Sequence, residues 1–117
     1  MLELEKVARM NLLYDFYGML LTERQRSVFE LYYGQDLSLG EIAGEFGVSR
    51  QAVHDMLKRG GKTLEDYEAR LGLAGKFVRE RNKLAEVSKL LRSYSDTGDR
   101  AKLEQAVKAV EELLEAE

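Results

Sequence analysis

The 117-residue chain contains no proline, so nothing in its sequence forces a long helix to break. Apolar residues recur at steps of three and four over most of its length, which is the spacing of an amphipathic helix. Glycines and capping residues divide this pattern into six segments. The sequence therefore predicts an all-α fold made of helices joined by short turns.

Capping residues predict where several of these helices begin. Thr22 with Gln25, and Ser38 with Glu41, each match a capping box, and Ser49 matches a single N-cap. A polar turn is expected at residues 95–98. The expected helices cover about residues 3–20, 23–33, 39–46, 50–71, 76–94 and 99–117. The apolar spacing continues across residues 60–61, so a single helix is predicted there despite two glycines.

Residues 38–60 match a helix-turn-helix motif. Ile42 and Val53 supply apolar side chains to the two helices, and Val48 fills the corner between them. Ala43 is small where the helices are expected to cross closely. Gly47 lies where the turn requires a positive φ angle. The agreement at each of these positions predicts this motif as the central element of the chain.

The second helix of such a motif projects its N-terminal residues into a nucleic-acid groove. Arg50 and Gln51 have donors suited to base edges, and the basic residues that follow can reach phosphates. Ser49 caps the helix and can also contact a phosphate. The candidate nucleic-acid-binding residues are Ser49, Arg50, Gln51, His54, Lys58, Arg59 and Lys62. An acidic residue on the same face, Asp55, would repel phosphates, and helix-turn-helix folds also serve as protein-interaction modules.

The charge of the chain favours a protein-interaction module over a nucleic-acid-binding protein. The net charge is −3 and the pI is about 5.3, whereas a general nucleic-acid binder is basic. The charge is unevenly distributed along the chain. Residues 76–92 carry six basic and two acidic residues, whereas residues 93–117 carry three basic and seven acidic residues. The basic segment can therefore bind a partner or pair with the acidic segment that follows it.

Composition excludes several kinds of site. Without cysteine there is no disulfide, zinc finger, iron–sulfur cluster or thiol nucleophile, and a single histidine leaves little for a metal site. Residues 60–63 resemble the end of a phosphate-binding loop, but the required first glycine is Met56. No apolar run approaches a membrane span, and Glu3 and Glu5 stand where a signal peptide carries basic residues. A cytoplasmic protein without enzymatic activity or cofactor is expected.

Two resemblances refine this prediction. Residues 21–71 resemble region 4 of bacterial sigma factors, in the segments Leu-Thr-Glu-Arg-Gln (21–25), Leu-Gly-Glu-Ile-Ala (39–43) and Gly-Val-Ser-Arg-Gln-Ala-Val (47–53). Residues 1–90 resemble the YlxM family of small bacterial helix-turn-helix proteins. Met-Asn-Leu-Leu-Tyr-Asp-Phe-Tyr-Gly (10–18), Leu-Tyr-Tyr (31–33) and Leu-Glu-Asp-Tyr-Glu (64–68) carry this second resemblance.

The resemblances imply a regulator and suggest its targets. Sigma region 4 grips promoter DNA with the second helix of its motif, which would make Arg50, Gln51 and His54 the base-facing residues. Genes of the YlxM family lie beside those of the signal recognition particle GTPase, which implies a role in protein targeting. The expected target is duplex DNA or the structured RNA of that particle. The alternative is a module that docks on the GTPase without binding nucleic acid.

The predicted organisation has two parts. Residues 1–75 form the helix-turn-helix domain, and residues 76–117 form an antiparallel helical hairpin that packs on the first part or on a second copy. The N-terminal helix and the hairpin together carry more apolar surface than a chain of this size easily hides, which predicts a homodimer. The N-terminal residues assigned to this surface are Leu12, Leu13, Phe16, Tyr17 and Leu20.

Overall fold

The computed structural model describes residues 2–116 and the side chains of residues 4–116. These residues form helices joined by short turns, and no strand occurs among them. The helices are α1 (Leu2–Tyr17), α2 (Glu23–Phe29), α3 (Leu39–Phe46), α4 (Arg50–Leu71), α5 (Leu73–Thr97) and α6 (Arg100–Glu115). A 3₁₀ turn, Gly18–Leu20, follows α1, and a π-helical turn, Glu30–Gly34, follows α2. The predicted all-α fold is confirmed, and no helix within residues 2–116 is long and apolar enough to cross a membrane.

The chain divides into two compact units, Met1–Ala74 and Gly75–Glu117. The first unit contains α1 to α4 and the first two residues of α5. The second unit contains the remainder of α5 and all of α6.

The core of the first unit joins α1, α2 and the two helices of the motif. Its largest fully buried side chains are Tyr17, Phe29, Leu13, Ile42, Leu64, Val28 and Val53. Phe46 and Met56, also from the two helices of the motif, are half-buried at the edge of this core. The guanidinium of Arg24 lies 5.6 Å from the ring centroid of Phe46 and covers its outer side.

The predicted caps of α2, α3 and α4 are confirmed. Both capping boxes form in full, because the side chains of Gln25 and Glu41 accept from the N–H groups of Thr22 and Ser38, respectively. Gly47 follows α3 with a φ of 65°, and Ser49 then begins α4. The helix-turn-helix therefore forms as its sequence predicts.

Helix α4 is continuous through its two glycines. Its 22 residues give a length of about 33 Å. Gly60 is buried, and a Cβ atom there would lie 2.5 Å from Cε2 of Phe29. The cost of glycine to helix formation is thus offset by the close approach of α2 to α4.

Helix α5 begins at Leu73, three residues before its predicted start at residue 76. The chain reverses at Gly72, whose φ is 63°, and α5 starts at the next residue. The N–H of Leu73 donates to the hydroxyl of Tyr17 (3.0 Å), and the N–H of Ala74 donates to a carboxylate oxygen of Glu68 (3.0 Å). These contacts satisfy N–H groups that the first turn of a helix leaves free, so a longer connection is unnecessary.

In the second unit, α5 and α6 form the predicted antiparallel hairpin around Val87, Ala106 and Ala109. The turn is shorter than expected, since residues 95–97 belong to the last turn of α5. The hydroxyl of Thr97 donates to the carbonyl of Ser93 within this turn, and Gly98 then reverses the chain with a φ of 70°.

Candidate nucleic-acid interface

The first turn of α4 is fixed by the corner of the motif. The N–H of Val48 donates to the carbonyl of Ala43 (3.1 Å), which closes the turn onto the end of α3. The hydroxyl of Ser49 then accepts from the N–H of Ala52 (3.0 Å). Local hydrogen bonds thus set the direction in which α4 leaves the corner.

Three of the predicted residues border one shallow cleft of about 430 Å³. Arg50, Gln51 and His54 line it together with Leu39 from α3. A Cβ atom at Gly40 would lie 3.8 Å from Cδ and Nε of Arg50. The Arg50 side chain therefore lies beside the first turn of α3, with its guanidinium at the protein surface.

Asp55 has partners on the same face of α4. One of its carboxylate oxygens accepts from Nε2 of Gln51 (3.0 Å) and lies 3.7 Å from Nδ1 of His54. Gln51 can still offer its carbonyl oxygen to a base, but a bidentate contact with adenine requires its amide to leave Asp55. Asp55 thus orients the amide of Gln51 and limits the hydrogen bonds that this amide could make to a base.

A second cleft, of about 410 Å³, lies further along α4. His54 lines both clefts, and Lys58 and Lys62 follow it along the helix into the second one. The rest of the second cleft comes from α1, the π-helical turn, the start of α3 and further residues of α4. Its remaining lining residues are Lys6, Met10, Tyr32, Tyr33, Leu39, Leu57, Gly61 and Glu65.

Carboxylates temper the positive charge of the second cleft. Lys62 pairs with Asp66 at 3.2 Å, with both side chains largely exposed. The Glu65 carboxylate accepts two hydrogen bonds from Arg9, at 2.6 and 2.9 Å, and these bonds raise the pKa of Arg9. The exposed Lys62–Asp66 pair is weak, whereas the two hydrogen bonds from Arg9 hold the Glu65 carboxylate in place.

The structure brings most, but not all, of the predicted residues together. Arg50, Gln51 and His54 meet in the first cleft, and His54, Lys58 and Lys62 meet in the second. Ser49 serves as the cap and lines neither cleft. Arg59 is exposed and also lines neither, because it projects from another side of α4.

Sequence reasoning did not find the residues that other elements contribute. Lys6, Tyr32 and Tyr33 reach the second cleft from α1 and from the π-helical turn. The adjacent tyrosines are a visible signal, since aromatic rings near a protein surface can stack on bases. Nothing near Lys6 in the sequence indicates its place.

No metal centre is apparent among residues 2–116, where no three acidic or histidine side chains are placed to share a cation. Among the groups that line the two clefts are guanidinium, ammonium, imidazole, amide and aromatic side chains. Such groups bind phosphates and bases.

Comparison with known proteins shows that the chain is similar to one family over most of its length. Residues 4–110 match the family described as "Putative helix-turn-helix protein, YlxM / p13 like". A UPF0122 protein of Desulforamulus reducens is 51% identical over 107 residues, which are 92% of each chain. A UPF0122 protein of Bacillus mycoides is 50% identical over 110 residues, covering 94% of this chain and 98% of the relative. One of Bacillus anthracis is 49% identical with the same coverage.

Proposed function

Because the chain belongs to the YlxM / p13-like helix-turn-helix family, we propose that it is a cytoplasmic, non-enzymatic regulator that binds nucleic acid through α4. The observation that carries this proposal is the convergence of Arg50, Gln51 and His54 in one open cleft at the start of α4. Lys58 and Lys62 continue the same surface at helical spacing. Arg50 and Gln51 contact base edges, and the lysines contact phosphates.

The target is duplex DNA or the structured RNA of the signal recognition particle. The motif itself suits the major groove of DNA, which admits a helix. The link to protein targeting rests on the resemblance to the YlxM family alone. Both targets present a phosphate backbone to the same lysines, so one assay with two probes distinguishes them.

The test is fluorescence anisotropy with labelled random duplex DNA and a hairpin of the particle RNA, each at two salt concentrations. We expect binding to at least one probe, with a logarithmic salt slope of about −0.9 per phosphate contact on DNA. The double substitution Arg50→Ala/Lys58→Ala lowers the affinity by at least about tenfold and reduces the slope by about one. The matched control, Arg92→Ala/Lys108→Ala, removes two exposed charges from the second unit. Equal affinities of the two double variants would contradict the proposed surface.

A protein-interaction module is the second candidate, favoured by the hydrogen bond from Gln51 to Asp55 and by the net charge of −3. In this alternative the chain docks on the signal recognition particle GTPase. The expected result is an exothermic interaction in titration calorimetry with the purified GTPase, in the absence of RNA. Binding to the GTPase, without binding to either nucleic acid at low salt, would establish this function instead.

We also propose that the second unit pairs with a second copy of the chain. Leu84, Leu91 and Val107 are 57%, 43% and 50% exposed on the hairpin. A cavity of about 250 Å³ at Leu91 and Val107 has an apolar lining. Residues 76–92 are basic and residues 93–117 acidic, so an antiparallel pairing of two hairpins brings opposite charges together.

The N-terminal helix contributes less to this pairing than its sequence suggests. Leu13 and Tyr17 are 0% and 1% exposed, and Leu12 and Phe16 are half-buried against the core. Of the residues assigned to this surface, only Leu20 is exposed. The prediction was wrong for the buried pair, because α4 covers the apolar side of α1.

A further inference from the structure

We propose that the second cleft binds one unstacked nucleotide, with its base on Tyr32 and its phosphate between Lys58 and Lys62. This inference rests on the proposed nucleic-acid function and specifies the ligand class. The cleft lies between α1, the π-helical turn and α4, and its volume of about 410 Å³ is in the range of small-ligand pockets. It is separate from the base-reading cleft at the start of α4, which it meets at His54.

The aromatic side of the cleft is held in place by a chain of rings. Tyr14 stacks on Phe29 with centroids 5.9 Å apart, and Phe29 contacts Tyr33 at 5.2 Å. The rings of Tyr33 and Tyr32 are nearly perpendicular (88°), with centroids 4.9 Å apart. Tyr32 is thus the last ring of this series, and it is half-buried. An anchored ring at a cleft offers a stacking surface to a base without a large ordering cost.

The floor of the cleft is apolar, and Met10 approaches α4 closely there because no side chain is present at Gly61. Met10 and Leu57 line the floor with it. A Cβ atom at Gly61 would lie 3.3 Å from Sδ of Met10. A side chain at this position would therefore push Met10 aside and change the shape of the cleft.

The rim carries the groups that a phosphate requires. Lys58 and Lys62 are exposed and one helical turn apart, and Lys6 faces them from α1. Lys58 pairs with no carboxylate of residues 4–116, and the carboxylate of Glu65 is engaged by Arg9. Lys62 exchanges its exposed pair with Asp66 (3.2 Å) for the incoming phosphate, whereas Lys58 has no such pair to break within the same range of residues.

The position of His54 determines which nucleic acid fits. His54 lines both clefts, so a strand held by Arg50 and Gln51 passes directly to the second cleft. A fully paired duplex keeps its bases stacked inside and cannot place one on Tyr32. A paired helix with an unpaired nucleotide beside it can supply both contacts. A free nucleotide carries the same base and phosphate and is the other source of this chemistry.

The test compares two RNA hairpins that differ by one unpaired uridine in the stem. In anisotropy at equal salt, we expect the full-length protein to bind the bulged hairpin about tenfold more tightly than the paired one. Tyr32→Leu reduces this ratio to near one. The matched control is Tyr94→Leu, a half-buried tyrosine of the second unit, which retains the ratio.

Photocross-linking locates the base without any variant. With 5-iodouridine as the unpaired nucleotide, we expect irradiation to attach the RNA to Tyr32 or Tyr33, as identified by mass spectrometry. If uridine monophosphate suppresses this cross-link, the cleft also takes a free nucleotide. If it does not, the nucleotide binds only as part of the strand.

These experiments distinguish failure of the nucleotide site from failure of nucleic-acid binding as a whole. Equal binding of both hairpins, or cross-links confined to other residues, overturns the nucleotide site and leaves the duplex grip intact. An undiminished ratio in Tyr32→Leu also overturns it. No binding of either hairpin or of duplex DNA contradicts both proposals.

Discussion

The ring of Phe29 lies against the backbone of Gly60, at the point where α2 crosses α4. In isolation this glycine weakens α4, because glycine is about 1 kcal/mol less favourable in a helix than alanine. In the folded chain the missing side chain lets a fully buried aromatic residue fill the space. A local preference is thus overridden by a contact between residues that are far apart in sequence.

Gly60→Ala is therefore expected to destabilise the protein by about 1–3 kcal/mol, since the added Cβ would force Phe29 to move. Gly44→Ala is the control, because Gly44 is exposed on α3 with nothing within 4 Å of its Cβ position. The free energy of unfolding of Gly44→Ala is expected to rise by about 0.5–1 kcal/mol. Urea unfolding of both variants measures these differences. A stabilising effect of Gly60→Ala would show that Phe29 adjusts without cost.

Helix boundaries were predictable where the signal is local. Thr22, Ser38 and Ser49 each bond to a backbone group within three residues, so the sequence around them is sufficient. The start of α5 depends on Tyr17, which is 56 residues away from Leu73. No local pattern could reveal that contact.

The same distinction applies to the candidate site. Arg50, Gln51 and His54 were predictable because one helix carries them at helical spacing. The second cleft depends on the packing of α1 and of the π-helical turn beside α4, which places Lys6 and Tyr32 there. Only the tertiary fold determines that arrangement.

The capping box of α3 is expected to make the stability of the protein depend on pH. The backbone N–H and the hydroxyl of Ser38 lower the pKa of Glu41 below its ordinary value of 4.5. A lowered pKa means that this contribution to stability is complete above the pKa of the unfolded chain. It is lost as the pH falls through the pKa of the folded state.

Glu41→Gln is expected to reduce the loss of stability on acidification, since an amide keeps the bond to Ser38, as Gln25 does in the other capping box. Comparing urea midpoints at neutral pH and at about pH 3 measures this dependence. Glu45→Gln is the control, because Glu45 is exposed on the same helix outside the box. Identical acid sensitivity of wild type and Glu41→Gln would contradict the assignment.

At the scale of the whole molecule, the two units bury their apolar residues very differently. Among the side chains of residues 4–74, twelve form the buried core of the first unit, whereas within residues 75–116 the hairpin core comprises Val87, Ala106 and Ala109. Over the same part of the hairpin, Lys83 pairs with Glu112 at 3.0 Å across the two helices. Two helices with so small a core are marginal alone, which supports pairing with a second copy.

Leu91→Asp/Val107→Asp is expected to convert the dimer to a monomer, because each carboxylate would be buried against apolar side chains in the paired hairpins. Light scattering at micromolar concentration measures the mass. Leu20→Asp, an exposed leucine of the first unit, is expected to leave the dimer intact. A wild-type mass equal to one chain would refute the pairing.

The distribution of aromatic residues has a consequence for spectroscopy. The chain has no tryptophan, and five of its six tyrosines lie in the first unit, with Tyr94 alone in the second. Intrinsic fluorescence therefore follows the helix-turn-helix unit almost exclusively, whereas far-ultraviolet circular dichroism follows the helices of both units. If the two signals change at different denaturant concentrations, the units unfold as independent cooperative blocks. The tyrosines thus report on the unfolding of the first unit without an added label.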